Sequence, residues 1–255
     1  IAPGRQADFV ILDNVTDLNV VDVYHCGKKI IKDEKAELKP CPPYLKNTVH
    51  VSGFSEERLK LKHPGTKARV IQMLEKQIVT KDVLEEVPWI ESDGEKYFAP
   101  DGEYQKIAVI ERHKNTGKMG VGIVKGYGIR GGAIASSVSH DSHNIIVVGD
   151  NDHDMAVAVK EMMRTQGGYT LVCNGEIYGT LPLPVMGLMS DAGYESVNEA
   201  LAKMIPKAHE MGVKEGFDPF ITLSFMALPV IPEIRITPRG IYLVNEDRML
   251  RTPFS

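Results

Sequence analysis

Apolar positions recur along this chain mostly in short runs, and helix-length periodicity is confined to two segments. Phe9-Val10-Ile11-Leu12 is a continuous apolar run, residues 20–24 alternate less cleanly, and residues 27–31 resume after a turn at Cys26-Gly27. Residues 1–32 therefore read as short strands. Ala68–Met73 and residues 106–111 also have strand character. Residues 119–124 set glycines against larger side chains, as in a strand that other backbone approaches closely. Residues 132–138 and 145–148 are strands flanking a polar apex at residues 140–144. Tyr169–Cys173 and residues 176–181 flank Asn174-Gly175, a strong hairpin signal with a type I′ turn. Residues 221–228 and 234–244 read as late strands.

The first helical segment spans residues 150–166. Asp150, Asn151, Asp152 and Asp154 crowd its start, where free N–H groups and the helix dipole favour acids. Met155, Val159, Met162 and Met163 form one stripe, and Gly167-Gly168 ends it as a left-handed cap would. The second spans residues 195–211, with Val197, Leu201, Met204, Ala208 and Met211 on one face and Gly212 after it. Pro206 is expected to kink or divide this helix. The Met-rich faces are core. No internal repeat is present, and strand exceeds helix, so the class is α+β. The charged stretch 33–39 and the stiff Pro40-Cys41-Pro42-Pro43 suggest a linker or extended crossing between a small N-terminal β element (residues 1–45) and a main domain (residues 46–255). Composition leaves a proline-rich surface loop within one domain open.

The chemistry concentrates at one place. Residues 136–144 gather two imidazoles, a carboxylate, an amide and four hydroxyls (Ser136-Ser137-Val138-Ser139-His140-Asp141-Ser142-His143-Asn144) and run into the apolar Ile145-Ile146-Val147-Val148. Side chains that converge at strand ends commonly bind or react. The plain alternative is a hydrogen-bonded loop whose histidines and aspartate satisfy backbone groups. A complete metal site here lacks visible third and fourth ligands. Asp150, Asp152, His153 and Asp154 could add ligands, but helix capping explains them more simply.

Gly126-Tyr127-Gly128-Ile129-Arg130-Gly131 matches GxGxxG, yet a dinucleotide site needs a helix opening at the last glycines. Gly132-Ala133-Ile134-Ala135 leads into a strand pattern instead. The segment reads as a turn or bulge that brings backbone close to a ligand or another strand. The apolar, proline-punctuated residues 217–233 read as a buried strand followed by an extended loop, in preference to a ligand-lining role. Leu181-Pro182-Leu183-Pro184-Val185 reads as an extended connector.

At 43% apolar and 25% charged residues, the 255-residue chain is ordinary for a globular protein. A net charge of −4 gives no basic field for nucleic acid. No apolar run approaches the roughly 20 residues of a membrane helix. The three cysteines, Cys26, Cys41 and Cys173, are far apart, which argues against a disulfide framework or structural zinc and fits a reducing cytoplasm. The chain starts at Ile1 without an initiator Met or signal peptide, so it is expected to be the C-terminal part of a longer protein.

Four blocks resemble the adenine deaminase family of the metal-dependent amidohydrolases. Residues 1–12 (Ile-Ala-Pro-Gly-Arg-Gln-Ala-Asp-Phe-Val-Ile-Leu) resemble the segment by which amidohydrolase chains leave the catalytic barrel and rejoin a small β-sandwich. The others are the Gly-rich block from Lys125 through the His-Asp-Ser-His-Asn signature to Gly149, residues 181–191, and residues 222–233. The exit block is widely shared, whereas the other three, in this order, are specific.

The resemblance implies an α+β chain, a β-sandwich remnant followed by a mixed C-terminal domain. It implies hydrolysis of adenine to hypoxanthine and ammonia by a cytoplasmic, homo-oligomeric enzyme that touches neither nucleic acid nor membrane. The manganese or iron would be bound by a barrel whose ligands begin with an HxH pair, and no HxH occurs in this sequence. The chain is thus expected to lack the barrel, to hold no metal and to be inactive alone. On the same resemblance, His140, Asp141 and His143 are the expected catalytic contribution, and Ser142, Asn144, Gly126 and Gly128 the expected substrate contacts. The rival readings are an autonomous purine-binding or regulatory module and a purely structural assembly domain.

Overall fold

The computed structural model describes residues 2–30 and 40–254. The chain forms two compact units, Ile1–Pro40 and Cys41–Ser255. The proposed linker residues 33–39, and Ile31 of the third expected strand, lie outside the described residues.

The first unit is an antiparallel meander of β1 (Phe9–Leu12), β2 (Val20–His25) and β3 (Lys28–Ile30). Phe9 and Tyr24 face each other across β1 and β2, with rings stacked at 4.7 Å. Both residues of the Cys26-Gly27 turn have positive φ, as a tight hairpin turn requires. The Asp8 carboxylate secures the turn by accepting the Cys26 amide at 2.6 Å.

The second unit is built on one sheet. Its strands in chain order are β4 (Ala68–Met73), β5 (Thr80–Glu85), the separate hairpin β6 (Trp89–Ser92) and β7 (Glu95–Phe98), then β8 (Tyr104–Ile110), β9 (Met119–Lys125), β10 (Gly132–Ser136) and β11 (Ile145–Gly149). Helix α1 (Asp152–Thr165) leads into β12 (Gly168–Cys173) and β13 (Glu176–Pro182). Eight of these strands pair in the order β13-β12-β10-β11-β8-β9-β4-β5, and only β4 and β9 run parallel. The hairpin turn at Asn174 and Gly175 has positive φ at both residues, the expected type I′ geometry.

Period-two burial seals both faces of this sheet. Ile107, Val109, Ile134, Ile146, Val148 and Leu171 point to one core, and Ala108, Ile110, Ala133, Ala135, Ile145 and Val147 to the other. Full burial of a branched apolar side chain contributes about 1.5–3 kcal/mol, so the central strands β8, β10 and β11 anchor the unit. Helix α1 covers the second face with Met155, Val159 and Met162. Its N-cap is Asn151, whose side chain accepts the Asp154 amide at 2.8 Å. Its left-handed C-cap falls on Gln166, one residue before the expected glycines.

The first face is covered by α2 (Tyr194–Glu210), α3 (Ile221–Ser224) and the sheet β14 (Ile234–Thr237), β15 (Gly240–Leu243) and β16 (Arg248–Leu250). Pro206 neither divides nor ends α2. Pro206 and Ala202 are both exposed, so the carbonyl that proline leaves unpaired can meet water. The segment expected as a strand from residue 221 is instead the one-turn helix α3, because Asp218 Oδ1 accepts the amides of Phe220 and Ile221 and starts a helical turn. The expected strand 234–244 is a hairpin reversed before Gly240. The close approach of backbone at β9 is found at Gly120, where a Cβ would run into the Thr237 carbonyl oxygen and lie 2.9 Å from the Gly240 nitrogen. Among the described residues, no helix is long and apolar enough to cross a membrane, and Cys26, Cys41 and Cys173 are free thiols.

Candidate functional site

The 140–144 bend is the connection between the buried strands β10 and β11, which pair directly with each other. Ser139 is fully buried, Asp141 and Ser142 are exposed, and the rings of His140 and His143 are partly exposed. The histidine rings lie 5.7 Å apart in an edge-on arrangement. His140 Nδ1 stands 3.8 Å from Asp141 Oδ1, and the Asp141 side chain is 86% exposed. The His140 amide donates to the Ser224 carbonyl at 2.8 Å, and its ring packs at 5.1 Å from Phe225. Asn144 is buried: its Oδ1 accepts the Arg112 amide at 3.3 Å and its Nδ2 donates to Ser142 Oγ at 3.1 Å.

The end of β8 completes the site with residues that the sequence reading did not single out. Glu111, Arg112 and His113 follow the strand where it runs beside β11, Ile110 opposite Ile145. Glu111 accepts the amides of His113, Lys114 and Thr116 and the Thr116 hydroxyl. Burial alone would raise its pKa, but these bonds to the carboxylate hold it at about 2. His113 Nε2 lies 2.6 Å from the Ser142 carbonyl oxygen. Arg112 is 1% exposed, and its guanidinium donates to the carbonyls of His143, Thr48 and Met186. Burial lowers its pKa to about 10. Each charge-assisted bond of this kind is worth about 1.5–3 kcal/mol. The signal that could have exposed this group is a Glu-Arg-His run at the end of an apolar strand; a charged run there ordinarily reads as a solvated end.

Burial lowers the pKa of His143, helped by the neighbouring charges of His140, Arg112 and His113 and opposed by Asp141. His143 thus favours its neutral form, which can accept a proton near neutral pH. Among the described residues, its Nδ1 and the Ser139 Oγ are buried with no hydrogen-bond partner. The bend therefore offers an imidazole biased toward neutrality, a second imidazole beside a carboxylate, and the exposed Ser142 hydroxyl.

Gly126 and Gly128 are not brought to the bend. They precede β10, whereas the bend follows it, and five strand residues separate the two ends by roughly 16 Å. Their close neighbour is protein backbone: a Cβ on Gly128 would lie 2.4 Å from the Gly212 carbonyl oxygen. Tyr127 between them is fully buried and donates its hydroxyl to the Pro219 carbonyl at 2.6 Å. The acids near α1 are likewise engaged. Asp150 accepts the amides of Gly131 and Gly132, Asp152 pairs with Lys106, and His153 lies 3.4 Å from Glu56. A surface cavity of about 470 Å³ opens beyond Phe225, lined also by Phe217, Ile221, Thr222, Ile78 and Gln77, so part of the 217–233 segment does line a cavity.

Among the described residues, one group has the spacing to hold a metal ion: Asp8, His25 and Cys26, all exposed, in the first unit. It does not fit manganese or iron of a deaminase centre. One carboxylate, one imidazole and one soft thiol are a poor donor set for a hard cation, and Asp8 already accepts the Cys26 amide.

Residues 77–248 match the family model described as the adenine deaminase C-terminal domain. An adenine deaminase of Desulfitobacterium hafniense (strain Y51) is 50% identical over 251 residues, covering 98% of this chain and 43% of the relative. One of Nitratidesulfovibrio vulgaris (strain DP4) is 44% identical over 249 residues, covering 96% and 43%. One of Clostridium acetobutylicum (strain ATCC 824) is 43% identical over 257 residues, covering 98% and 44%. The chain thus spans less than half the length of these relatives.

Proposed function

This chain belongs to the adenine deaminase C-terminal domain family, and from that premise we propose that it forms the C-terminal part of an enzyme converting adenine and water to hypoxanthine and ammonia. Residues 1–45 then rejoin a small β-sandwich, and residues 46–255 form the domain that meets a catalytic barrel. The observation that carries the reading is the 140–144 bend, where two imidazoles and a carboxylate reach the surface of an otherwise sealed sheet.

Manganese or iron in the barrel would supply a water acidified enough to attack at neutral pH. The work left to this chain is proton transfer and positioning. His143, biased to its neutral form, suits a base. His140 and Asp141 form the pair suited to hold and return a proton as the amine leaves. Ser142, exposed on the bend, would hydrogen-bond the purine edge, and Asn144 braces the bend by donating to the Ser142 hydroxyl. Gly126 and Gly128 order the opposite end of β10 and support the domain in this reading. The enzyme is proposed to be cytoplasmic and homo-oligomeric, with adenine as its small-molecule partner and no nucleic-acid contact.

Complementation tests this. The 255-residue chain with manganese or iron should release no ammonia from adenine above a metal-only control. Mixing it with the separately expressed remainder of a full-length enzyme should restore turnover. Turnover by the chain alone, or by the remainder alone at the full rate, would contradict the proposal.

A further inference from the structure

We propose that Arg112 is the positioning residue of the 140–144 bend, fixing His143 in its working orientation through a clamp of backbone carbonyls. The inference rests on the reading that this bend serves deamination, and it deepens that reading by naming what holds the bend.

Arg112, like the equally buried Arg235, donates to three backbone carbonyls; its site differs in that one of those carbonyls belongs to His143. Among the described residues it has no carboxylate within ion-pair distance. Its Nε donates to the His143 carbonyl, Nη1 to Thr48 at 3.2 Å and Nη2 to Met186 at 3.0 Å, so one side chain ties together three segments distant in sequence. Two of those carbonyls belong to non-glycine residues in the left-handed region, His143 at φ +49° and Met186 at φ +59°, and the third follows Asn47 at φ +61°. Such backbone persists where its surroundings over-determine it. The clamp has no slack, since a Cβ on Gly187 would lie 2.8 Å from the guanidinium. The main chain of Arg112 repeats the pattern: its amide donates to Asn144 Oδ1 at 3.3 Å and its carbonyl accepts the His50 amide at 2.8 Å.

The three carbonyls are reached from three separate nitrogens of one planar fork, whereas a lysine ammonium offers its donors from a single atom, so lysine keeps the charge and loses the clamp. The charge itself faces a defined set of groups. His140 and His113 approach His143 from its own bend and from the end of β8, and Asp141 opposes them. Removing the guanidinium charge removes one influence that favours neutral His143.

A double-mutant cycle in the full-length enzyme tests the inference. Arg112→Lys should lower kcat by about tenfold or more while KM stays within about twofold. In a His143→Ala background the same substitution should cost almost nothing further, because Arg112 acts through His143. A loss of equal size in both backgrounds, or no loss at all, would overturn it. A second readout needs no turnover. By histidine-ring NMR on the 255-residue chain, Arg112→Met should move the His143 midpoint upward toward the ordinary value of about 6.5, and Arg112→Lys should leave it near its starting point. An unmoved midpoint in a folded Arg112→Met chain would also overturn the inference; if that variant does not fold, the cycle decides. Should His143→Ala alone leave kinetics intact, the functional reading fails, and the NMR result still judges the positioning.

Discussion

The backbone amide of His140 donates to the carbonyl of Ser224 at 2.8 Å, joining the β10–β11 bend to the end of α3. The contact puts the Phe225 ring against the His140 imidazole at 5.1 Å, so α3 braces one imidazole while Arg112 holds the segment bearing the other. Phe225→Ala should free the His140 ring. Because Phe225 is only partly buried, the stability loss should stay below about 3 kcal/mol, under the range for a fully buried phenylalanine. Urea denaturation and the His140 ring-proton shift check this. An unchanged shift would contradict the packing.

Glycines at matched backbone but unmatched space should behave differently. Gly128 (φ +99°) has the Gly212 carbonyl 2.4 Å from where a Cβ would sit, while Gly65 (φ +83°) has nothing within 4 Å. Gly65→Ala should cost about 1 kcal/mol, the backbone penalty alone. Gly128→Ala should cost about 3 kcal/mol or more, because backbone must also move. Equal losses in urea denaturation would contradict the close approach.

Glu111 predicts a pH dependence. Its folded pKa of about 2 lies below its ordinary value of 4.5. Its contribution is therefore complete above about pH 4.5 and is lost as pH falls toward 2. Glu111→Gln should lower the melting temperature at pH 6 and approach wild type near pH 2. A gap between the two that stays constant with pH would contradict the hydrogen-bonded carboxylate.

Much of this was legible in sequence because local chemistry decides it. Asn174-Gly175 takes the positive φ values that its hairpin needs, and Asn151 caps α1. The apolar run from Ile221 reads as a strand because hydrophobicity does not distinguish a buried strand from a buried turn of helix; Asp218, which accepts two amides there, is the residue that makes it helical. Arg112 was illegible for a different reason. Its partners are backbone carbonyls of Thr48, His143 and Met186, and carbonyls leave no mark in a sequence. The bend was found from its residue types, yet only the fold separates the inward Asn144 from the outward Asp141.

Pro206 offers a gain. It sits inside the continuous helix α2, exposed, four residues after exposed Ala202. Pro206→Ala supplies the missing amide and should stabilise the chain by about 1–2 kcal/mol, less than the roughly 3 kcal/mol interior penalty because proline also restricts the unfolded chain. A loss of stability would mean that the helix is shaped around a proline kink.

The most direct test of the account is steady-state adenine deamination by full-length enzyme carrying His140→Ala or His143→Ala, with urea denaturation of the same variants. The account predicts that kcat/KM falls by about a hundredfold or more, as loss of a proton-transfer group does, while stability changes by less than about 1 kcal/mol. Unchanged kinetics together with a lowered melting temperature in both variants would show that the two histidines hold the fold and take no part in the chemistry.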